Sequence, residues 1–298
     1  MRCRMCKERA VISMRRHNTA FCRLHYREFF FRQVSRAIQE FGMLNPQEGV
    51  LVCVSGGKDS LVLWKVLHEL GYKTRAMYID LGFGEYSLLS KQKVFNMAKK
   101  LSQEPIVVSL KDMGFDILAS AKAKHRPACS VCGTTKRYCF NRTAFEEGFQ
   151  VVATGHNLDD EASRLLGNVL RWQTHYLAKQ SPTLPGESEH TPKKVKPLVK
   201  LTEREVAVFA FLEGIDYVLE ECPYAKGATS ITYKLLLAQL EEKMPGTKHS
   251  FYFGFQEHIS KFSRAEAPKG MLKTCKVCGQ DSFEETCGFC RLLGQVSP

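Results

Sequence analysis

The stretch Val50-Leu51-Val52-Cys53-Val54-Ser55-Gly56-Gly57-Lys58-Asp59-Ser60-Leu61-Val62-Leu63-Trp64 reads as an apolar strand, a glycine turn and the opening of a helix. The first turn of a helix leaves unpaired backbone N–H groups and a partial positive charge facing whatever lies ahead, so this arrangement cradles phosphate. Gly56 and Gly57 let the backbone come close without a Cβ in the way. Ser55 and Ser60 add hydroxyls, and Asp59 can hold a magnesium ion or orient a bound nucleotide. The spacing is not GxxxxGK(S/T), so this is not a Walker loop.

Working outward, strands are expected at 50–54, 74–80, 105–109 and 150–154, with helical patterns at 60–70, 87–102, 134–147 and 159–171. Alternation of this kind implies an α/β fold, a doubly wound parallel sheet with helices on both faces. Ligands in such sheets bind at the carboxyl ends of strands. The glycine turn sits at one such end and Thr154-Gly155-His156-Asn157 at another, so one nucleotide can touch both. Apolar positions at helical spacing over 26–44 form a linking helix, and more helices are expected at 202–213, 229–243 and 247–262. The proline-broken segment 171–200 reads as a surface loop whose lysines can touch RNA.

At 298 residues, 44% hydrophobic and 25% charged, the composition is that of a soluble globular protein; no apolar run approaches the ~20 residues of a spanning helix. The basic start (Arg2, Cys3, Arg4, Cys6) resembles neither a signal nor a transit peptide, so a cytoplasmic protein is expected. A net charge of +12 points to a polyanionic partner, RNA or DNA first. Twelve cysteines without an export signal argue for metal rather than disulfides. Cys3-x-x-Cys6 with Cys22-x-x-His25 is a tetrahedral zinc set in a module too small to fold on a core of its own. Cys275-x-x-Cys278 with Cys287-x-x-Cys290 is a four-cysteine zinc ribbon. The expected division is therefore 1–27 (zinc module), 28–270 (nucleotide-binding body) and 271–298 (zinc ribbon).

Cys129, Cys132 and Cys222 are left over, in Cys129-Ser130-Val131-Cys132-Gly133 and Glu221-Cys222-Pro223. Three thiolates are one short of a closed site. An iron–sulfur cluster held by three cysteines leaves one iron open to a small reactant such as sulfide. Packing as small hydrophobes is the competing reading; it fits Cys53, and Cys139 too, better than a Cys-x-x-Cys-Gly loop.

Ser55 to Ser60 (SGGKDS) resembles the PP-loop motif of ATP pyrophosphatases, which cleave ATP between the α- and β-phosphates and transfer AMP to an oxygen. Taken with Cys129-x-x-Cys132-Gly133-x-x-Lys136-Arg137, with Thr154 to Glu161, with Glu221-Cys222-Pro223 and with both terminal zinc modules, it is similar over essentially the whole chain to the tRNA 2-thiouridine synthetases of the TtuA type. The resemblance implies that Val54, Ser55, Gly56, Gly57, Lys58, Asp59 and Ser60 bind ATP. Gly155 and the backbone near Ile79 would hold the adenosine, and Cys129, Cys132 and Cys222 a [4Fe-4S] cluster. Lys136, one helical turn beyond Cys132, would neutralise phosphate charge; Asp160, opening the next helix, would position magnesium or the target base. Neighbouring Asp159 reads as a solvated helix-end charge. The resemblance also implies a ubiquitin-like sulfur carrier with a C-terminal thiocarboxylate, a homodimer, and a uridine target: the T-loop 5-methyluridine first, the wobble uridine or a cytidine as alternatives. A cysteine persulfide route without cluster, a zinc-ribbon RNA-binding factor and an amidating ligase compete with this reading.

Overall fold

The computed structural model describes residues 1–224, 229–258 and 272–294. Six strands form the central sheet: β3 (Gly49–Val54), β4 (Lys73–Asp80), β5 (Ile106–Ser109), β6 (Val151–Thr154), β7 (Thr183–Leu184) and β8 (Lys193–Val195), in the order β5-β4-β3-β6-β8-β7. Every pairing is parallel except β7 with β8. The strand-and-helix alternation expected from the sequence is therefore a doubly wound sheet. It lengthens from β3 through β4 to β5, then restarts on the other side of β3 with β6. That reversal makes the β3–β6 boundary the switch point where a crevice opens.

Each strand alternates its side chains between two cores. Val50, Val52 and Val54 pack with α1 (Arg23–Glu40), α2 (Lys58–Glu69) and α8 (Glu203–Leu212). Leu51 and Cys53 pack on the opposite face with α4 (Ile117–Ala123) and α5 (Ala128–Glu146). The remaining α-helices among the described residues are α3 (Glu85–Leu101), α6 (Leu158–Leu170), α7 (Thr174–Leu177), α9 (Thr229–Lys243), α10 (Thr247–His258) and α11 (Gly288–Leu292). No helix among the described residues is long and apolar enough to cross a membrane.

The structure corrects several expectations. Segment 171–200 is not a plain surface loop: it supplies α7, β7 and β8, and Leu177, Val195, Leu198 and Val199 are buried. Strands of two or three residues leave no measurable periodicity, so the sequence pattern could not reveal them. α5 starts at Ala128 rather than near 134, so the Cys-x-x-Cys-Gly segment is helix rather than loop. The expected helix 247–262 is described to His258, and its last residues lie outside the described residues.

The terminal modules dock on different faces. β1 (Ile12–Met14) and β2 (Thr19–Phe21) form a hairpin whose Ile12, Met14 and Phe21 join the α1–α2–α8 core. The ribbon, with β9 (Lys273–Thr274), β10 (Asp281–Ser282) and α11, joins the α4–α5 core. There Phe289 stacks on Tyr138 with ring centres 4.0 Å apart and meets Phe115 at 5.0 Å.

Candidate active site at the sheet switch point

The turn after β3 is built for close approach. Gly56 has φ +77°, and a Cβ there would lie 2.6 Å from the Ser90 carbonyl oxygen, so no other residue fits without moving backbone. The Ser55 backbone N–H donates to Ser60 Oγ at 3.1 Å, and Ser60 Oγ donates to the Gly57 carbonyl at 3.0 Å, closing the turn. α2 begins at Lys58 without a side-chain cap, which leaves its first N–H groups open to an anion. Gly155, after β6, lies against this turn: a Cβ there would stand 2.8 Å from Ser60 N. Both sequence-predicted nucleotide turns thus meet at the switch point.

A chain of charges spans the crevice. Lys58 Nζ contacts Asp59 at 3.0 Å and Glu203 at 2.8 Å; Lys234 Nζ contacts Asp160 at 2.5 Å and Glu203 at 3.3 Å. Asn157 donates to Asp59 Oδ1 at 3.1 Å and caps α6 in a reciprocal box with Asp160. Burial opposes the Lys58 ammonium, but Asp59 and Glu203 outweigh it and hold Lys58 above the ordinary lysine value. Burial likewise pushes Asp59 up, against Lys58 and helped by Asp160 and Glu203. Glu203 and Lys234 escaped the sequence reading because only the fold brings α8 and α9 to this end of the sheet. The Asn157-x-x-Asp160 box was a visible helix-start signal.

Asp159 is not a solvated charge. It is buried, pairs with buried Lys248 and accepts the Glu203 backbone N–H at 2.9 Å. It anchors the start of α8.

A cavity of about 110 Å³ joins the nucleotide and cysteine regions: Val54, Ser55 and Ile79 line it together with Cys132, Lys136 and Cys222. Residues far apart in the chain, from Cys53 to Cys222, converge here. Burial raises the Cys132 thiol, Lys136 opposes that, and Cys222 and Cys129 add to it, so the three sulfurs feel one another. Tyr86 is raised by burial, then by Cys222 and Cys132, which sets its phenol beside both thiols. Cys129 is exposed on the first turn of α5, and its thiol donates to the Tyr224 carbonyl at 3.3 Å. Neither Cys129 nor Asp160 lines this cavity; Asp160 borders a second recess between α6 and α9. Cys53 and Cys139 are buried and raised by that burial, Cys139 to about 12, which leaves both thiols protonated and inert.

Two four-residue sets have ligand atoms all within 4.8 Å of one another: Cys3, Cys6, Cys22 and His25, and Cys275, Cys278, Cys287 and Cys290. Cys22 Sγ lies 3.2 Å from His25 Nδ1, and Cys275 Sγ accepts the Cys287 backbone N–H at 3.2 Å. Both sets can bind metal. The Cys129, Cys132 and Cys222 set is looser, and Cys132 and Cys222 line the cavity while Cys129 is exposed on the first turn of α5. Three thiols with room beside them fit a polynuclear cluster better than a single tetrahedral ion.

The glycine turn at the switch point of a doubly wound sheet defines a PP-loop protein, and the PP-loop domain family matches residues 28–226. The chain belongs, within that group, to the tRNA 2-thiouridine synthetases of the TtuA type: the family of the TtuA N-terminal LIM domain matches residues 2–27. It is 46% identical over 298 residues (99% of this chain, 92% of the relative) to the tRNA-5-methyluridine(54) 2-sulfurtransferase of Thermus thermophilus. It is 43% identical over 295 residues (99% and 94%) to the protein of that name from Pyrococcus horikoshii. Among solved structures it resembles the U34-tRNA thiolase NcsA from Methanococcus maripaludis with its [4Fe-4S] cluster. The TM-score is 0.83 at 25% identity, with 100% of this chain and 97% of that chain covered.

Proposed function

We propose that the chain is an ATP-dependent tRNA sulfurtransferase that adenylates O2 of a uridine and replaces that oxygen with sulfur. The observation that carries this reading is the single cavity where Val54, Ser55 and Ile79 meet Cys132, Cys222 and Lys136. A 2-oxo group is a poor leaving group, so activation must precede substitution. Uridine O2 attacks the α-phosphorus of ATP and pyrophosphate departs; sulfide then attacks C2 and AMP departs. The turn Ser55 to Ser60 and the open start of α2 bind the phosphates, while Gly155 and the backbone at Ile79 border the adenosine. Lys58 and Lys136 neutralise charge on the leaving pyrophosphate. Asp59 and Asp160 position magnesium, with Asp160 also aligning the target base. Cys129, Cys132 and Cys222 hold the [4Fe-4S] cluster. When bound, it supplies a Lewis-acidic iron without a protein ligand, a seat for inorganic sulfide.

Both terminal ligand sets take zinc in this reading, and the chain divides at 1–27, 28–270 and 271–298. Likeness to the two 5-methyluridine enzymes favours that T-loop nucleotide over the wobble uridine. A thiocarboxylated carrier protein as sulfur source, a homodimer and a cytoplasmic location complete the proposal.

The test is nucleoside mass spectrometry after incubating anaerobically purified protein with ATP, unmodified tRNA and sulfide, before and after iron removal. A 2-thionucleoside formed only with iron supports the reading, and its position in the tRNA names the target. Equal product without iron means that sulfide attacks the activated C2 without the cluster; a cysteine persulfide route is tested by supplying a sulfane-sulfur donor in place of sulfide. No product with the cluster verified rejects the enzyme reading.

A further inference from the structure

Among the described residues, Arg164 on α6 and Arg171 just past its end have no carboxylate to themselves. Arg164 reaches, among the described residues, Glu161 alone, at 3.8 Å, and that carboxylate already holds Lys196 at 2.6 Å. Arg171 contacts the Thr229 hydroxyl at 3.4 Å and the Tyr233 hydroxyl at 3.3 Å, both neutral groups. Both arginines border a recess of about 370 Å³ between α6 and α9, within the roughly 300–1,000 Å³ of small-molecule clefts. His156 and Asp160 lie in its wall, so the recess adjoins the switch point. Of its ionic groups, Lys234 and Asp160 answer each other, which leaves the two guanidinium groups in surplus. Arg137, nearby, is depressed by burial and next by the positive charge of Arg164, so like charges are held together here.

Past the end of α6, Trp172 is 73% exposed and Tyr176 53% exposed. Trp172 has φ +48°, a left-handed conformation that bulky residues avoid, yet its ring is not packed away. The His175 and Tyr176 rings lie 3.9 Å apart. Exposed aromatic faces beside unneutralised guanidinium groups are the composition that binds unpaired RNA: rings stack on bases and arginines take phosphates. Protein interfaces also favour Trp, Tyr and Arg, but they bury an apolar anchor, and this recess is lined mainly by cations and hydroxyls.

We propose that the α6–α9 recess and the Trp172–Tyr176 ledge seat an unpaired stretch of the RNA substrate. The recess takes one nucleotide beside Asp160, Arg164 and Arg171 hold its phosphates, and Trp172 and Tyr176 stack on neighbouring bases. This rests on the tRNA reading above and adds the path by which the nucleotide reaches the site.

The chain has 2 tryptophans, and the other, Trp64, is fully buried with its indole N–H on Gln103, so solvent-exposed emission reports on Trp172. Titrating the full chain with unmodified tRNA transcript should quench that emission saturably. Trp172→Ala should weaken binding about tenfold, by loss of one stacked base. Trp172→Phe, which keeps a stacking face, should retain most of the affinity. Replacing both arginines (R164Q with R171Q) should reduce the slope of log affinity against log salt by about 1 to 2. Melting temperature and binding of a nonhydrolysable ATP analogue establish that each variant is folded. Unchanged affinity and salt slope in folded variants, with wild-type protein still thiolating tRNA, overturn this proposal alone. Variants that bind tRNA normally but lose product only when sulfur comes from a thiocarboxylated carrier protein, not free sulfide, overturn it in favour of protein docking. Wild-type protein that neither binds tRNA nor forms a 2-thionucleoside overturns the functional reading with it.

Discussion

The two terminal ligand sets invite comparison because they solve the same local problem and are wired to different halves of the site. The N-terminal module shares the core of α1, α2 and α8. Its Arg16 contacts Glu205 at 3.3 Å and the Lys200 carbonyl at 3.2 Å, and Glu205 caps α8 with Thr202. The next contact inward is Glu203 on Lys58, so this module braces the nucleotide turn. The C-terminal ribbon shares the core of α4 and α5, the helix that presents Cys129 and Cys132. Phe289 is its wedge, and Ser120 Oγ donates to the Leu292 carbonyl at 3.2 Å. A small metal module can thus serve as a structural buttress, and what it supports depends on which face of the sheet it covers.

Substitutions that strike each half directly should have the largest effects. Cys132→Ala should lower 2-thionucleoside formation at least about a thousandfold while ATP-analogue affinity stays within about twofold, since groups acting as a unit fail together. Gly56→Ala should abolish analogue binding, because its Cβ would meet the Ser90 backbone. If Cys132→Ala loses nucleotide as well, the halves are not separable.

Next in size is Arg16→Ala, which strands a buried carboxylate on Glu205 and should cost about 4 kcal/mol in denaturant unfolding. Adding Glu205→Gln should recover part of that loss, and iron content per chain should be unaltered. Phe289→Ala should cost about 3 kcal/mol through the cavity left between Tyr138 and Phe115. It should depress iron content and thiolation more than analogue binding; the opposite order would disconnect the ribbon from the thiol half.

The smallest effect is the share of acid sensitivity that His17 contributes from the N-terminal module. Burial, then Arg16 and His249, lowers His17 from 6.5 to about 4. The unfolded chain therefore takes up a proton on His17 between pH 6.5 and 4 that the folded chain refuses, so stability falls as pH drops through that window and is level above it. His17→Phe should flatten this portion of the stability–pH curve relative to wild type. An unchanged slope would show that His17 is protonated in the folded protein.

The sheet was legible because β3 and β4 run to 6 and 8 residues and their alternation feeds two cores, as Val50, Val52 and Val54 against Leu51 and Cys53 illustrate. The nucleotide turn and both terminal ligand sets were legible for a different reason: phosphate cradles and metal knuckles place their parts within a few residues of one another. Short β7 and β8 escaped, and so did the helical state of Cys129 to Cys132, because three-residue strands and a cysteine-rich helix start carry no period.

The doubly wound class, the turn from Ser55 to Ser60, the two terminal ligand sets and the three remaining cysteines are all written in the sequence. Each of these rests on interactions between near neighbours in the chain. It took the folded chain to show that Cys222 meets Cys132 beside Ser55, that Glu203 and Lys234 complete the charge chain, and that Asp159 is buried on Lys248. Those facts depend on which ends of which elements the sheet topology brings together, and long-range packing, unlike a turn, leaves no periodic mark on the sequence.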